Sequence, residues 1–155
     1  MSAGAAQQAV ADEVSCVFVP LREQTLLIPN ACVAEVVPWR RTKKLAGVPP
    51  WCVGVLGWRG ESVVVLDYET VLDADDQPNG HRAMLIVRKA QDWEGSAFYA
   101  VATAGLPRLM VLGDAELSSA VEDDDAAIDM RVSVGAESVI IPKLSHLESQ
   151  VRQIL

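Results

Sequence analysis

Aromatic side chains are scarce: Trp, Tyr and Phe make up 5% of the 155 residues, although half of the chain is hydrophobic. Val, Ala and Leu therefore carry the apolar content, which favours a β-rich core over disorder. Cys16, Cys32 and Cys52 are an odd number without a CxxC pair, which argues against a disulfide framework and a closed zinc site and leaves reduced, buried thiols. His81 and His146 are the only histidines; neither has neighbours at ligand spacing, so both read as surface residues and no metal is expected. No Gly-x-Ser-x-Gly nucleophile turn is present. Gly54, Gly57 and Gly60 lack the strand-to-helix context of a phosphate-binding loop, and no cofactor is expected. The formal charge of -8 argues against nucleic acid or an anionic membrane as a general partner. Residues 1–11 have neither a basic start nor a long apolar stretch, and no run of about 20 apolar residues occurs anywhere. A soluble, cytoplasmic protein is the expectation.

What is present reads as one domain by length. Residues 1–13 read as a mobile tail. Val14 to Pro20 and Thr25 to Ile28 read as strands around a polar hairpin loop, Arg22 to Gln24. Pro29 stops the second strand, and Asn30 is placed to cap a short helix over Ala31 to Val37. Pro38 to Lys44 is a loop with four cations, either simply solvated or a docking patch for an acidic partner. The most informative stretch is Val53 to Asp67: two strands around Trp58-Arg59-Gly60-Glu61, where Gly60 supplies the positive φ of a tight turn. Arg59 stands at the mouth of that hairpin, where a flexible cation beside an aromatic suits a contact surface.

Tyr68 to Leu72 is a single helical turn, and Asp73 to Gly80 is a linker by composition. The second half repeats the order loosely, with strands at 82–88, 96–103 and 106–112, then a hairpin around Gly135 and Ala136. Glu137-Ser-Val-Ile-Ile141 mirrors Glu61-Ser-Val-Val-Val65, which reads as two copies of one small barrel. The acidic runs at 73–76 and 122–125 read as solvated loops. Leu144, Leu147, Val151 and Ile154 form one stripe of a closing helix.

Gly-x-x-x-x-Arg-Gly-Glu followed by an apolar strand ending in Asp, from Gly54 to Asp67, resembles the signature of the CheW-like family. Ile28 to Val36 and Val48 to Trp51 are similar to that family's strand, short helix and re-entry. The resemblance is specific over 14–72 and rests on strand pattern beyond. It implies a mainly β fold: two small five-stranded, SH3-like β-barrels sharing a hydrophobic core, with short helices and a C-terminal helix. The first barrel would span 14–72, the linker 73–80 and the second barrel with its helix 81–155.

The resemblance also implies a non-enzymatic adaptor that holds the cytoplasmic tip of a methyl-accepting chemoreceptor against a CheA-type histidine kinase. The family's functional arginine falls on Arg59. Val33, as an apolar floor, and Glu35 would face the receptor from the short helix, with Asn30 and Val53 bordering the groove. Gly57 and Trp58 stand where the family usually has Asn and Leu, so Trp58 reshapes the floor beside Arg59. Such drift fits an adaptor of a chemosensory system controlling pili or surface motility. Two other classes stay open: an interaction module that never meets a receptor, and a small-molecule-binding protein or enzyme.

Overall fold

The computed structural model describes residues 13–91 and 95–154; the expected tail, apart from Glu13, and residues 92–94 of the loop after Lys89 lie outside it. Among the described residues the strands are β1 (Val14–Pro20), β2 (Thr25–Pro29), β3 (Val33–Pro38), β4 (Cys52–Trp58), β5 (Glu61–Leu66), β6 (Ala83–Arg88), β7 (Phe98–Thr103), β8 (Arg108–Leu112), β9 (Val121–Glu122), β10 (Ile128–Val134) and β11 (Glu137–Pro142). The helices are α1 (Tyr68–Leu72), α2 (Asp114–Ser118) and α3 (Leu144–Ile154), and a 3-10 turn occupies Asn30–Cys32.

The strands form two sheets, ordered β8-β1-β2-β11-β10-β9 and β3-β6-β7-β5-β4. Neither ladder closes into the barrel expected from the sequence. In the second sheet the loop that leaves edge strand β3 makes one bridge to the other edge strand, β4, from Lys43 to Val55. One apolar core lies between the sheets and takes Val19, Leu26 and Ile28 from one and Leu66, Val87 and Tyr99 from the other. Each sheet also curls over a smaller cluster of its own.

The sheets do not follow the halves 14–72 and 81–155. The interior of the chain, β3 to β7, builds one sheet, and the two ends of the chain build the other. The internal repeat is nevertheless visible. Hairpin β4-β5 followed by α1 corresponds to hairpin β10-β11 followed by α3. β5 lies parallel to β7 (Val64 opposite Tyr99) as β11 lies parallel to β2 (Ile140 opposite Leu26). Each repeat has therefore lent its first hairpin, β1-β2 or β6-β7, to the sheet completed by the other.

A buried glutamate ties each lent hairpin back to its own repeat. Glu69 of α1 accepts from the amides of Arg22, Glu23 and Gln24 (2.9, 2.6 and 3.0 Å) in the β1-β2 turn. Glu148 of α3, fully buried, accepts from the amides of Ala90 and Gln91 (3.1 and 2.8 Å) beyond β6. Glu148→Ala leaves both amides without this acceptor and is expected to cost about 2–4 kcal/mol by urea unfolding. Glu148→Gln, which keeps one carbonyl oxygen, loses less.

The closing helix forms as its stripe requires: Leu147 and Val151 are fully buried, with Leu144 and Ile154 packed alongside. The expected helix over 31–37 does not form. Beyond the 3-10 turn, Val33–Pro38 is a strand on β6. Val33, Val36 and Val37 are β-branched and stiff in a helix. The open edge of β6 offers their backbone a ladder that a short helix of about two turns cannot match.

Candidate functional site

The β4-β5 hairpin turns through two residues, and both are left-handed: φ is 48° at Arg59 and 77° at Gly60. This is the primed turn that matches strand twist. Glycine takes the conformation freely, whereas a side chain there costs on the order of 1 kcal/mol. Arg59 is the one non-glycine with positive φ among the described residues. Local strain at an exposed side chain is a mark of a site rather than of a scaffold.

Glu35 on β3 faces this turn from the opposite edge of the sheet. Its carboxylate accepts from Trp58 Nε1 (3.2 Å) and from Arg59 Nη2 (2.6 Å). The indole hydrogen bond above all, joined by the Arg59 guanidinium, lowers the Glu35 carboxyl from its ordinary value against an opposing desolvation. The guanidinium lies 4.9 Å from the Trp58 ring centroid, and the indole meets Phe98 edge-on at 4.9 Å. Trp58 is 6% exposed while the Arg59 side chain is 69% exposed. Arg40 donates to the Gly57 carbonyl (3.2 Å), adding a second cation beside the turn. The arrangement presents a cation of fixed position over a rigid aromatic floor, with donors left for a carboxylate or amide.

Of the six residues expected at this site, Glu35, Trp58 and Arg59 meet directly. Val33 does not join them. A bulge between Val33 and Glu35 sets them opposite successive residues of β6, Val87 and Ile86, so they lie on opposite faces. Val33 packs, half-buried, on the core between the sheets, and Trp58 supplies the floor expected of Val33. Asn30 is exposed in the 3-10 turn and caps nothing. Val53 is buried, 5% exposed, in the cluster beneath Trp58. Phe98 was invisible to sequence reading because it reaches Trp58 only through tertiary packing, and the role of Arg40 was hidden among four cations of one loop.

A second polar cluster was also missed. Asp67 is 2% exposed. Its carboxylate accepts from Arg22 Nη1 and Nη2 (2.7 and 3.2 Å) and from the Thr70 amide and hydroxyl (3.0 Å each), and lies 2.8 Å from His81 Nε2. Arg22 further donates to Asp76 (2.8 Å). His81 is therefore no surface residue: its side chain is 9% exposed and its ring lies 4.7 Å from that of Trp39. The cluster pins the β1-β2 turn, α1 and the 73–80 segment together. It is a structural clasp, since every group in it is engaged by another part of the chain.

The hairpin, its glutamate and the two interlocked sheets invite comparison with known proteins. The family model described as the CheW-like domain matches residues 15–146. The chain belongs to the CheW-like family. Among solved structures, the scaffolding protein TtCheW from Thermoanaerobacter tengcongensis superposes with a TM-score of 0.68 at 17% identity, over 84% of this chain and 89% of that one. No curated protein matches the sequence. This CheW-like chain shares the fold of TtCheW, a mainly β architecture with a C-terminal helix. Among its described residues no helix is long and apolar enough to cross a membrane.

Proposed function

We propose that this CheW-like chain is a chemotaxis-type coupling adaptor, a cytoplasmic and non-enzymatic scaffold that holds a chemoreceptor tip against a CheA-type histidine kinase. The observation that carries this reading is Arg59: strained, exposed and fixed by Glu35 over Trp58 on a rigid turn. The guanidinium itself stays on the surface, and the carboxylate beside it, Glu35, is taken up by Trp58 and Arg59. A bridge of this kind acts by position, raising the effective concentration of its two partners for each other. It biases the kinase only by binding one of its states more tightly.

The test is capture from the native cell extract by tagged wild type, Arg59→Ala and Arg59→Asn, read by mass spectrometry. Wild type is expected to retain a chemoreceptor and a CheA-type kinase. Both variants are expected to lose the receptor by tenfold or more while retaining the kinase. Asn tolerates a left-handed backbone, so Arg59→Asn should melt no lower than wild type, which separates lost binding from lost folding. Kinase capture without any receptor in wild type would favour a module that serves another signalling protein. Absence of both partners would sink the adaptor reading.

A further inference from the structure

Phe98 extends the Arg59 platform to a cation that the site described above does not use. It is the first residue of β7 and stands opposite Arg88, the last residue of β6, so the two side chains share one face of the sheet. The Arg88 guanidinium lies 5.9 Å from the Phe98 ring centroid. Phe98 meets Trp58 edge-on at 4.9 Å, and the Arg59 guanidinium lies 4.9 Å from the Trp58 ring. Cation, aromatic, aromatic and cation therefore make one continuous row that runs from the hairpin turn, past β7, to β6.

The row has a firm base. Trp58 belongs to the apolar cluster of this sheet, and Phe98 packs against that cluster. Ser96 donates to Glu61 (3.2 Å) and accepts from the Phe98 amide (3.2 Å), which ties the start of β7 to the hairpin. The two cations differ in what they already hold. Arg59 is paired with Glu35. Arg88 is exposed, and among the described residues its guanidinium has no hydrogen-bond or ion-pair partner. Contact with a ring face orients a guanidinium without consuming any of its five N–H donors. Around the row stand three guanidiniums, Arg40, Arg59 and Arg88, and two carboxylates, Glu35 and Glu61, each already accepting a hydrogen bond. This end of the sheet is thus locally basic in a chain whose net charge is -8.

We propose that Arg88 is a further binding residue of this site, and that the segment seated on the row presents two acidic side chains, one to Arg59 and one to Arg88. The inference rests on the adaptor reading for the identity of the partner, a chemoreceptor tip, and adds what that tip must carry. Carboxylates are the class favoured, because a planar pair of oxygens fits the fork of a guanidinium. A polyanion such as nucleic acid would be repelled by the net charge. The two rings between the cations offer apolar contact to the part of the segment that joins the two acids. A tip with a single acid engages Arg59 and leaves Arg88 unused. Arg88 therefore acts in discrimination, setting which of several receptor tips this chain accepts.

The test is calorimetric titration of purified protein with the cytoplasmic fragment of the receptor that wild type retains, in about 0.1 M and about 1 M NaCl. Arg88→Ala is expected to weaken binding about tenfold in the lower salt and to reduce the difference between the two salts. Arg88→Glu weakens it further, and both variants melt as wild type does because the side chain is exposed. A scan of single Asp→Lys and Glu→Lys changes in the receptor fragment is expected to find one position that restores binding to Arg88→Glu while weakening wild type. If Arg88→Ala binds as tightly as wild type while Arg59→Ala does not, the proposal is overturned and the adaptor reading stands. If wild type retains no receptor, both fall. Equal weakening of Arg88→Ala at the two salts, with no acidic position rescuing Arg88→Glu, also overturns the proposal and assigns the side chain to packing on Phe98.

Discussion

Replacement of Asp67 by Ala is expected to cost about 3–5 kcal/mol, read as a lower urea midpoint with an unchanged slope. The carboxylate is buried and takes two hydrogen bonds from one guanidinium, two from Thr70 and one contact from His81. Removing it deprives the Arg22 guanidinium, a side chain only 17% exposed, of its bidentate partner and leaves it Asp76, the Asn79 carbonyl and the more distant Glu69 (3.6 Å). It also removes the N-cap of α1. The Asp76 pair, which is partly exposed, can compensate only weakly.

The same carboxylate sets a pH dependence. Burial pushes Asp67 up, but the hydrogen bonds from His81 and Arg22, with the Thr70 amide, overcome burial and hold the group well below the usual carboxylate range. In the unfolded chain it titrates near 4. Because the folded value is the lower one, its contribution is complete above that range and is lost progressively as pH falls below about 4. Urea midpoints measured between pH 6 and pH 3 should fall more steeply for wild type than for Asp67→Asn. Parallel curves for the two proteins would assign acid sensitivity to other groups.

Gly54→Ala is expected to destabilise by on the order of 3 kcal/mol or more and to dislodge the basic loop. Gly54 has φ +140°, a region that side chains avoid. A Cβ there would stand 2.6 Å from the Lys43 carbonyl oxygen and 2.7 Å from Thr42 Oγ1. Neither neighbour can give way freely, since Lys43 carries the bridge to Val55 and Thr42 is bonded to Val53. Gly57→Ala is the control: nothing lies within 4 Å of that Cβ position. Thermal melting should separate the two variants, and equal melting temperatures would show that the loop does not depend on the approach at Gly54.

The elements legible in the sequence are those set by neighbours along the chain. β-branched runs, the Gly60 turn, the Pro29 stop and the 3.6-residue stripe of α3 are local choices between backbone conformations, and local energetics decides them. The repeat was legible in Glu61 and Glu137 because matching strands need matching residues. The site was legible as far as its hairpin: an exposed arginine on a tight turn carries its own signal.

Everything that depended on which surfaces meet was decided by the packed fold. Glu35 reaches Arg59 because the edges of one sheet curl together, and a one-residue bulge turns Val33 away from both. The exchange of hairpins between repeats follows from burial of one shared core, which no single strand encodes. Arg22, Asp67 and His81 lie in a loop, at a strand end and just past a linker, and become a buried clasp only where those segments converge. Residue type and local order are properties of the chain, whereas partners across 24 or 45 positions exist only once the entropy of bringing them together has been overcome by the core they enclose.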